Sequence, residues 1–237
     1  MRYRHVPVML RETVDYLNCE KGKVIVDCTL GGAGHADQIT RRIFPGGRFV
    51  GIDKDEAAIN NARIVLPDYG DDVCLIQDNF ANLPEILPQC GMTTADGIVL
   101  DLGLSFYQID ASGRGFSFTR DEPLDMRMDT RQPVKAGQLI NGESESRLAR
   151  IFKDYGEERH AARIARRVVQ ERQAEKITSS RRLAEIVSAA YPAAARHKIK
   201  IHPATKVFMA LRIAVNRELD NLIRFLEVVL DCLTVGA

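Results

Sequence analysis

Asp27-Cys-Thr-Leu-Gly-Gly-Ala-Gly-His35, followed by Gly51-Ile-Asp-Lys-Asp55, decides the fold class. The first stretch comes directly after Val24-Ile-Val26, an apolar β-branched run that reads as a short buried strand. Glycines in three of the four positions 31–34 let the backbone turn tightly and approach a ligand with no Cβ in the way. The second stretch ends another apolar run, Phe49-Val-Gly-Ile52, in the carboxylate of Asp53. A glycine-rich turn after one parallel strand, with an acid about 20 residues later, is a kit for holding a nucleoside: backbone near its charged part, carboxylate on the ribose hydroxyls. A dinucleotide fingerprint needs Gly-x-Gly-x-x-Gly. Gly31-Gly-Ala-Gly34 followed by His35 does not match it. The observed Asp-x-Thr-x-Gly-x-x-Gly spacing suits S-adenosylmethionine better, because no pyrophosphate has to be cradled. The plainer alternative is a glycine turn that only joins strand to helix.

Outward from these motifs, strands are expected at 23–27, 48–53, 73–77 and 97–101, with helices near 35–44 and 56–66. That alternation implies right-handed βαβ units and a parallel sheet. Ligands of such sheets bind at the carboxyl ends of the strands, where Asp27, Asp53 and Asp101 all fall. Residues 103–133 carry Gly103, Gly113, Gly115, Pro123 and Pro133 with little periodicity, which reads as a long functional loop. Helical periodicity then returns. Leu148, Ile151, Phe152 and Tyr155 share a face, 159–172 is a basic helix, and Thr178-Ser-Ser180 opens another. Pro192 and Pro203 bracket a basic linker. The closing helix reads as continuous, with Phe208, Leu211, Val215, Leu219, Leu222, Leu226, Val229 and Leu233 on one stripe. The expected fold is therefore α/β and Rossmann-like. Residues 1–104 and 204–237 form the sheet domain, and 105–203 an inserted loop and helical domain.

The 237 residues, 45% hydrophobic and 27% charged, suit a globular chain. No apolar window of about 18 residues and no signal-peptide core are present, so a cytoplasmic protein away from the membrane is expected. Cys19, Cys28, Cys74, Cys90 and Cys232 are odd in number and form no Cys-x-x-Cys, which reads as reduced, buried thiols without a structural zinc. No spacing suggests a metal ligand set. The net charge of +1 hides an asymmetry: residues 147–212 hold 16 Lys/Arg against 6 Asp/Glu. A cationic segment on a near-neutral chain points to a polyanionic partner, the alternative being a solvated helical surface.

Further motifs run in order: His5-Val-Pro-Val-Met-Leu10, Asp96-Gly-Ile-Val-Leu-Asp-Leu-Gly103, Arg114-Gly-Phe-Ser-Phe118, Pro123-Leu-Asp-Met-Arg-Met-Asp129, Tyr155-Gly-Glu-Glu-Arg159, His202-Pro-Ala-Thr-Lys206 and Ala210-Leu-Arg-Ile-Ala-Val-Asn216. Together with the glycine loop they closely resemble the bacterial 16S rRNA (cytosine-N4) methyltransferase family, the MraW/RsmH type, over essentially the whole chain. The resemblance implies methyl transfer from S-adenosylmethionine to the exocyclic N4 of a cytidine in the decoding centre of small-subunit rRNA. It implies a class I Rossmann-like methyltransferase domain with an inserted helical domain that helps recognise RNA. Carried over by position, cofactor contacts fall on Ala33, Gly34, His35, Asp53, Phe80, Asp101 and Gln108.

Each of these residues has a physical reading too. Asp53 would accept both ribose hydroxyls, and Phe80 would pack on the adenine unless it is ordinary core. The N4 lone pair is delocalised into the ring. The enzyme must therefore hold the amine hydrogens and align nitrogen, methyl and sulfur in line. Asp101 and Ser105 are the candidate acceptors, and Tyr107 or Phe106 could stack on a base swung out of its helix. Arg114 and Arg127 suit RNA contacts in the loop, although Arg127 could instead pair with Asp125 or Asp129 to order it. Arg163, Arg166, Arg167 and Arg172 are the insertion's phosphate-binding candidates.

Two departures from the family pattern stand out. Where the family usually has Ser-Ser-Pro-Gln after Asp-Leu-Gly, this chain has Ser105-Phe-Tyr-Gln108. Family members also continue past the last helix with a Gly-Gly turn and further strands, whereas this sequence stops at Thr234-Val-Gly-Ala237. An open apolar sheet edge is therefore expected, covered by another chain such as a second copy, unless the sequence is a truncated product. The competing functional reading is a truncated RNA-binding relative with little or no transferase activity. A nicotinamide-dependent oxidoreductase is disfavoured by the glycine spacing.

Overall fold

A computed structural model describes residues 7–192 and 201–237. His5 and Val6 of the first motif, and most of the basic linker between Pro192 and Pro203, lie outside the described residues. In chain order the regular elements are α1 (Leu10–Tyr16), β1 (Val24–Asp27), α2 (Gly34–Ile43), β2 (Arg48–Asp53), α3 (Glu56–Val65), β3 (Val73–Gln77), α4 (Leu83–Gln89), β4 (Gly97–Val99), α5 (Phe106–Asp110), α6 (Ala136–Gly142), α7 (Glu145–Asp154), α8 (Ala161–Ala174), α9 (Ser180–Ala190), α10 (Ala204–Asn216) and α11 (Glu218–Val228). They group into two compact units. One is Met1–Tyr107 with Leu219–Ala237, and the other is Gln108–Glu218.

The first unit is built on a four-stranded parallel sheet of order β3-β2-β1-β4. Period-two alternation along each strand sends neighbouring side chains to opposite faces. Ile25 and Phe49 join Ile39, Ile43 and Ile59 on the face covered by α1, α2 and α3. Val26 and Val50 join Leu83, Ile86, Leu87 and Phe225 on the face covered by α4 and α11. Each such fully buried side chain contributes roughly 1.5–3 kcal/mol, so two apolar layers hold the strand ends in place. Gly51 in mid-β2 is required by that packing. A Cβ there would come within 2.8 Å of both Leu30 and Leu75. Just before β4, Ala95 forms a parallel bridge with Leu233, so the C-terminal segment runs beside the start of that strand.

The second unit packs α7, α8, α9 and α10 around Leu148, Phe152, Ile164, Val168, Leu183, Val187, Val207 and Leu211, all buried. The division differs from the sequence expectation in one element. Residues 204–216 pack with α7 and α9 and belong here, not with the sheet. The apolar stripe read as one closing helix is broken at Arg217, which adopts a left-handed conformation (φ 51°, ψ 42°). Arg212 bridges the break through a two-pronged ion pair to Glu218, 2.8 and 2.9 Å. Leu222 and Phe225, rather than Leu219 and Leu226, turn inward on α11.

A buried amide orders the long loop. Asn216 donates to the Met126 carbonyl and accepts from the Met128 N–H and from Gln132, at 2.8, 2.7 and 3.1 Å. Removing it strands buried backbone groups, each costing about 1–3 kcal/mol. Asn216→Ala is expected to lower unfolding free energy by about 3 kcal/mol. Urea titration checks this, with enhanced proteolysis in 126–132 as the local signature.

The thiols also differ from expectation. Cys74 on β3 and Cys90 at the end of α4 are joined as a disulfide, with Cα atoms 6.0 Å apart. The helix α4 folds back across the sheet and brings together two cysteines that no short motif links. Cys19, Cys28 and Cys232 are free.

Candidate active site

The register of the sheet fixes where its acids lie. Asp27 pairs with Gly51 on one side and Val99 on the other, so Asp53 and Asp101 each extend two residues beyond it along neighbouring strands. All three mark the carboxyl edge of the sheet, the edge at which parallel α/β sheets bind ligands.

The loop that follows β1 is tied to this edge from several directions. Asp53 accepts the Gly31 N–H at 2.9 Å through one oxygen and the Asp55 N–H at 2.9 Å through the other. Leu30 N–H reaches the Ile52 carbonyl, and the Asn61 amide donates to the Gly32 carbonyl. Ala33 completes the turn in a left-handed conformation (φ 62°) at the start of α2. A non-glycine residue held there carries strain, which collects at functional sites. Gly34 and His35 form the first turn of α2, where backbone N–H groups lack intrahelical acceptors. The buried His35 side chain is used elsewhere: Nε2 donates to the Val8 carbonyl at 3.2 Å.

Asp27 is 1% exposed. One of its oxygens accepts the Thr29 N–H at 3.0 Å, and the other, Oδ2, has no hydrogen-bond partner. Burial raises its pKa to about 7, against the Thr29 N–H that lowers it and with the charges of Asp53 and Asp101 adding to the rise. Burial likewise lifts Asp53 to about 6, opposed by the backbone N–H groups of Asp55 and Gly31. A buried carboxyl oxygen without a donor, ringed by two more acids, is a poor element of a core and a good acceptor for a cationic ligand. Asp101 is exposed, and its backbone is anchored by its N–H to Thr29 Oγ1 at 2.7 Å. Thr29 thus links Asp27 to Asp101, a positioning role that sequence reading did not assign although the Asp-x-Thr spacing displayed it. Thr29→Val is expected to lower any turnover about tenfold by freeing the Asp101 backbone, with the melting temperature as the control for folding.

The other expected site residues fall as follows. Phe80 is buried and meets Phe225 edge-on, centroids 5.4 Å apart, as part of the sheet's apolar layer. This is the ordinary-core alternative for that ring. Ser105 is half-buried, and its Cβ would be 3.8 Å from a side chain placed on Gly31. Tyr107 is half-buried, and Gln108 is buried as the first residue of the second unit. Among the described residues no cluster of His, Cys, Asp or Glu could hold a metal ion, and no helix is long and apolar enough to cross a membrane.

Four of the six arginines expected at RNA make hydrogen bonds to other groups of the protein. Arg127 grips Asp125 with two nitrogens, 2.6 and 2.8 Å, and gives the third to the Thr130 and Gln132 carbonyls. Burial works to raise Asp125, but the guanidinium outweighs it and holds that carboxyl below its ordinary range. Arg114 donates to the Arg127 and Met128 carbonyls and lies over Phe116. Arg163 donates to the Ala190 carbonyl. Arg172 closes the end of α6 through the Ile140 and Glu143 carbonyls. Arg166 and Arg167 remain on the exposed face, each paired with one surface carboxylate, Glu145 at 3.4 Å and Glu171 at 2.6 Å. Such pairs are worth at most about 1 kcal/mol and yield readily to a phosphate.

With this geometry in place, comparison with known proteins decides the ancestry. The MraW methylase family profile matches residues 2–237. The chain belongs to the MraW methylase family. Family relatives named Ribosomal RNA small subunit methyltransferase H align over nearly its full length. The protein of Desulfosudis oleivorans is 55% identical over 236 residues, covering 100% of this chain and 76% of its own. That of Desulforapulum autotrophicum is 50% identical, with the same coverage. That of Symbiobacterium thermophilum is 44% identical, covering 100% of this chain and 74% of its own. The parallel sheet with flanking helices is the Rossmann-like methyltransferase architecture of this family.

Proposed function

We propose that the protein is an S-adenosylmethionine-dependent methyltransferase acting on the exocyclic N4 of a cytidine in the decoding centre of small-subunit 16S rRNA. The observation that carries this reading is the row of Asp27, Asp53 and Asp101 along one sheet edge, within a chain of the MraW methylase family. The names of the relatives support rRNA as the substrate class.

The residues fit the donor. Asp53 accepts backbone N–H groups from Gly31, Lys54 and Asp55, and a carboxylate has about four acceptor sites, so it retains acceptor capacity for a ribose hydroxyl. The orphaned Asp27 Oδ2 suits the positive charge of the donor. When bound, S-adenosylmethionine supplies an electrophilic methyl on a sulfonium. Asp101 would accept a hydrogen bond from the exocyclic amine, orient it for attack and take the proton that the nitrogen loses on methylation. In this reading Ser105 is a second acceptor for that amine, and Tyr107 a stacking surface for the base. Arg166 and Arg167 offer exposed charge to the RNA backbone.

Radiolabelled donor and small subunits purified from a strain lacking the modification test the reading. Wild-type protein is expected to place label in 16S rRNA, recovered as N4-methylcytidine after nuclease digestion. Label no higher than that of Asp101→Ala would reject it.

A further inference from the structure

Three rings in the second unit form a column from core to surface. Phe208, on α10, is buried. Phe118, from the long loop, packs edge-on against it, centroids 5.1 Å apart and planes at 78°. His202 then lies over Phe118, centroids 4.5 Å apart and planes at 26°. Exposure increases along the column, with Phe118 half-buried and His202 exposed. The imidazole is also held by its edge. Its Nδ1 accepts the Ala204 N–H at 3.2 Å. A neutral ring accepting at Nδ1 carries its proton on Nε2, which is left as a donor.

Phe118 and Phe208 pack against each other, but packing does not account for the third ring. The outermost ring remains in water, so burial does little to hold it there. What the column does achieve is a flat aromatic surface fixed in orientation, stiffened from beneath by Phe118 and Phe208. It sits on the unit that carries the chain's cationic excess, 16 Lys/Arg against 6 Asp/Glu over residues 147–212. A rigid π-face on a basic surface is the chemistry that receives an unpaired base of single-stranded RNA, since every base offers a face and the phosphates follow the charge.

We propose that His202, backed by Phe118, is a stacking platform for one unpaired base of the RNA strand. This rests on the rRNA methyltransferase reading and adds to it an RNA contact on the second unit. The platform is sequence-tolerant, because it recognises a ring face, not a donor and acceptor pattern.

Two substitutions at one position separate stacking from structure. His202→Asn keeps an acceptor for the Ala204 N–H and deletes the ring. His202→Phe keeps a ring and deletes the acceptor. The probe is a fluorescein-labelled single-stranded oligoribonucleotide of about eight nucleotides, followed by anisotropy at several salt concentrations. His202→Asn is expected to weaken binding about tenfold with the salt slope unchanged. His202→Phe is expected to stay within about threefold of wild type. The proposal is overturned if His202→Asn binds like wild type, or if His202→Phe loses as much as His202→Asn. It is equally overturned if the salt slope falls by about one, which would mark a phosphate contact, or if wild type does not bind the probe. Calorimetry of wild type with S-adenosylmethionine keeps the two failures apart. Donor binding with a failed platform sinks only the platform, whereas absent donor binding sinks the methyltransferase reading.

Discussion

Asp101→Ala is expected to reduce methyl transfer to small-subunit RNA by about 10³-fold in kcat, with little change in melting temperature. The exposed carboxylate carries none of the fold: its residue is anchored by its main-chain N–H on Thr29, and that bond survives the substitution. What is lost is the acceptor that draws electron density onto a weakly nucleophilic amine and removes its proton. Because this interaction strengthens as the N–C bond forms, kcat falls more than the affinity for RNA. Single-turnover transfer with labelled donor measures the chemical step, and calorimetry of the same variant measures donor affinity. A variant that turns over normally would remove Asp101 from the reaction.

Asp27→Asn is expected to stabilise the protein at pH 8 by about 2–4 kcal/mol and to flatten its stability between pH 4 and 7. The sign follows from the raised pKa, about 7 in the folded chain against an ordinary 3.8. Between those values the folded state holds a proton that the unfolded state has lost, so unfolding free energy decreases as pH rises. The loss is complete above pH 7, and the three-unit gap sets an upper limit of about 4 kcal/mol. Asparagine keeps the acceptor for the Thr29 N–H and removes the buried charge. Denaturant titrations of both proteins from pH 4 to 8 check this. A wild-type curve that rises through that window would contradict it. The same charge that costs stability at pH 8 is the one offered to a cationic donor. Donor affinity of the wild type should therefore increase from pH 5.5 to 8, as Asp27 and Asp53 ionise. This is the usual opposition between a strained site and a stable fold.

The parts of this architecture written in local pattern were legible in the sequence. Residues 48–53 and 73–77 form strands with the expected bounds, because each is an apolar β-branched run bounded by turn residues. The glycine loop and the three acids follow from strand ends alone. What differed depends on backbone conformation and on hydrogen-bond partners that local pattern does not encode. Residues 97–101 read as one strand, yet the ladder stops at Val99, where Asp101 turns its N–H to Thr29 instead of a neighbouring strand. Periodicity carried the last helix through Arg217, because the left-handed break there leaves the apolar spacing nearly intact. The pairing of Arg127 with Asp125 was open to sequence reading, but the bonds of Arg163 and Arg172 to the carbonyls of Ala190, Ile140 and Glu143 were not, because no sequence pattern marks a carbonyl as an acceptor. Asn216 stood inside a recognised motif without a role, since the three loop partners it orders lie more than 80 residues away.

Calorimetric titration of S-adenosylmethionine into wild-type and Asp53→Asn proteins tests the central claim, that the acids along one sheet edge hold a cationic adenosyl donor. Wild type is expected to bind it and to ignore nicotinamide dinucleotides. Asp53→Asn is expected to bind roughly 10–100-fold more weakly, through the loss of charge-assisted hydrogen bonds to the ribose. Equal affinities in the two proteins, or no heat from the donor with wild type, would contradict the account.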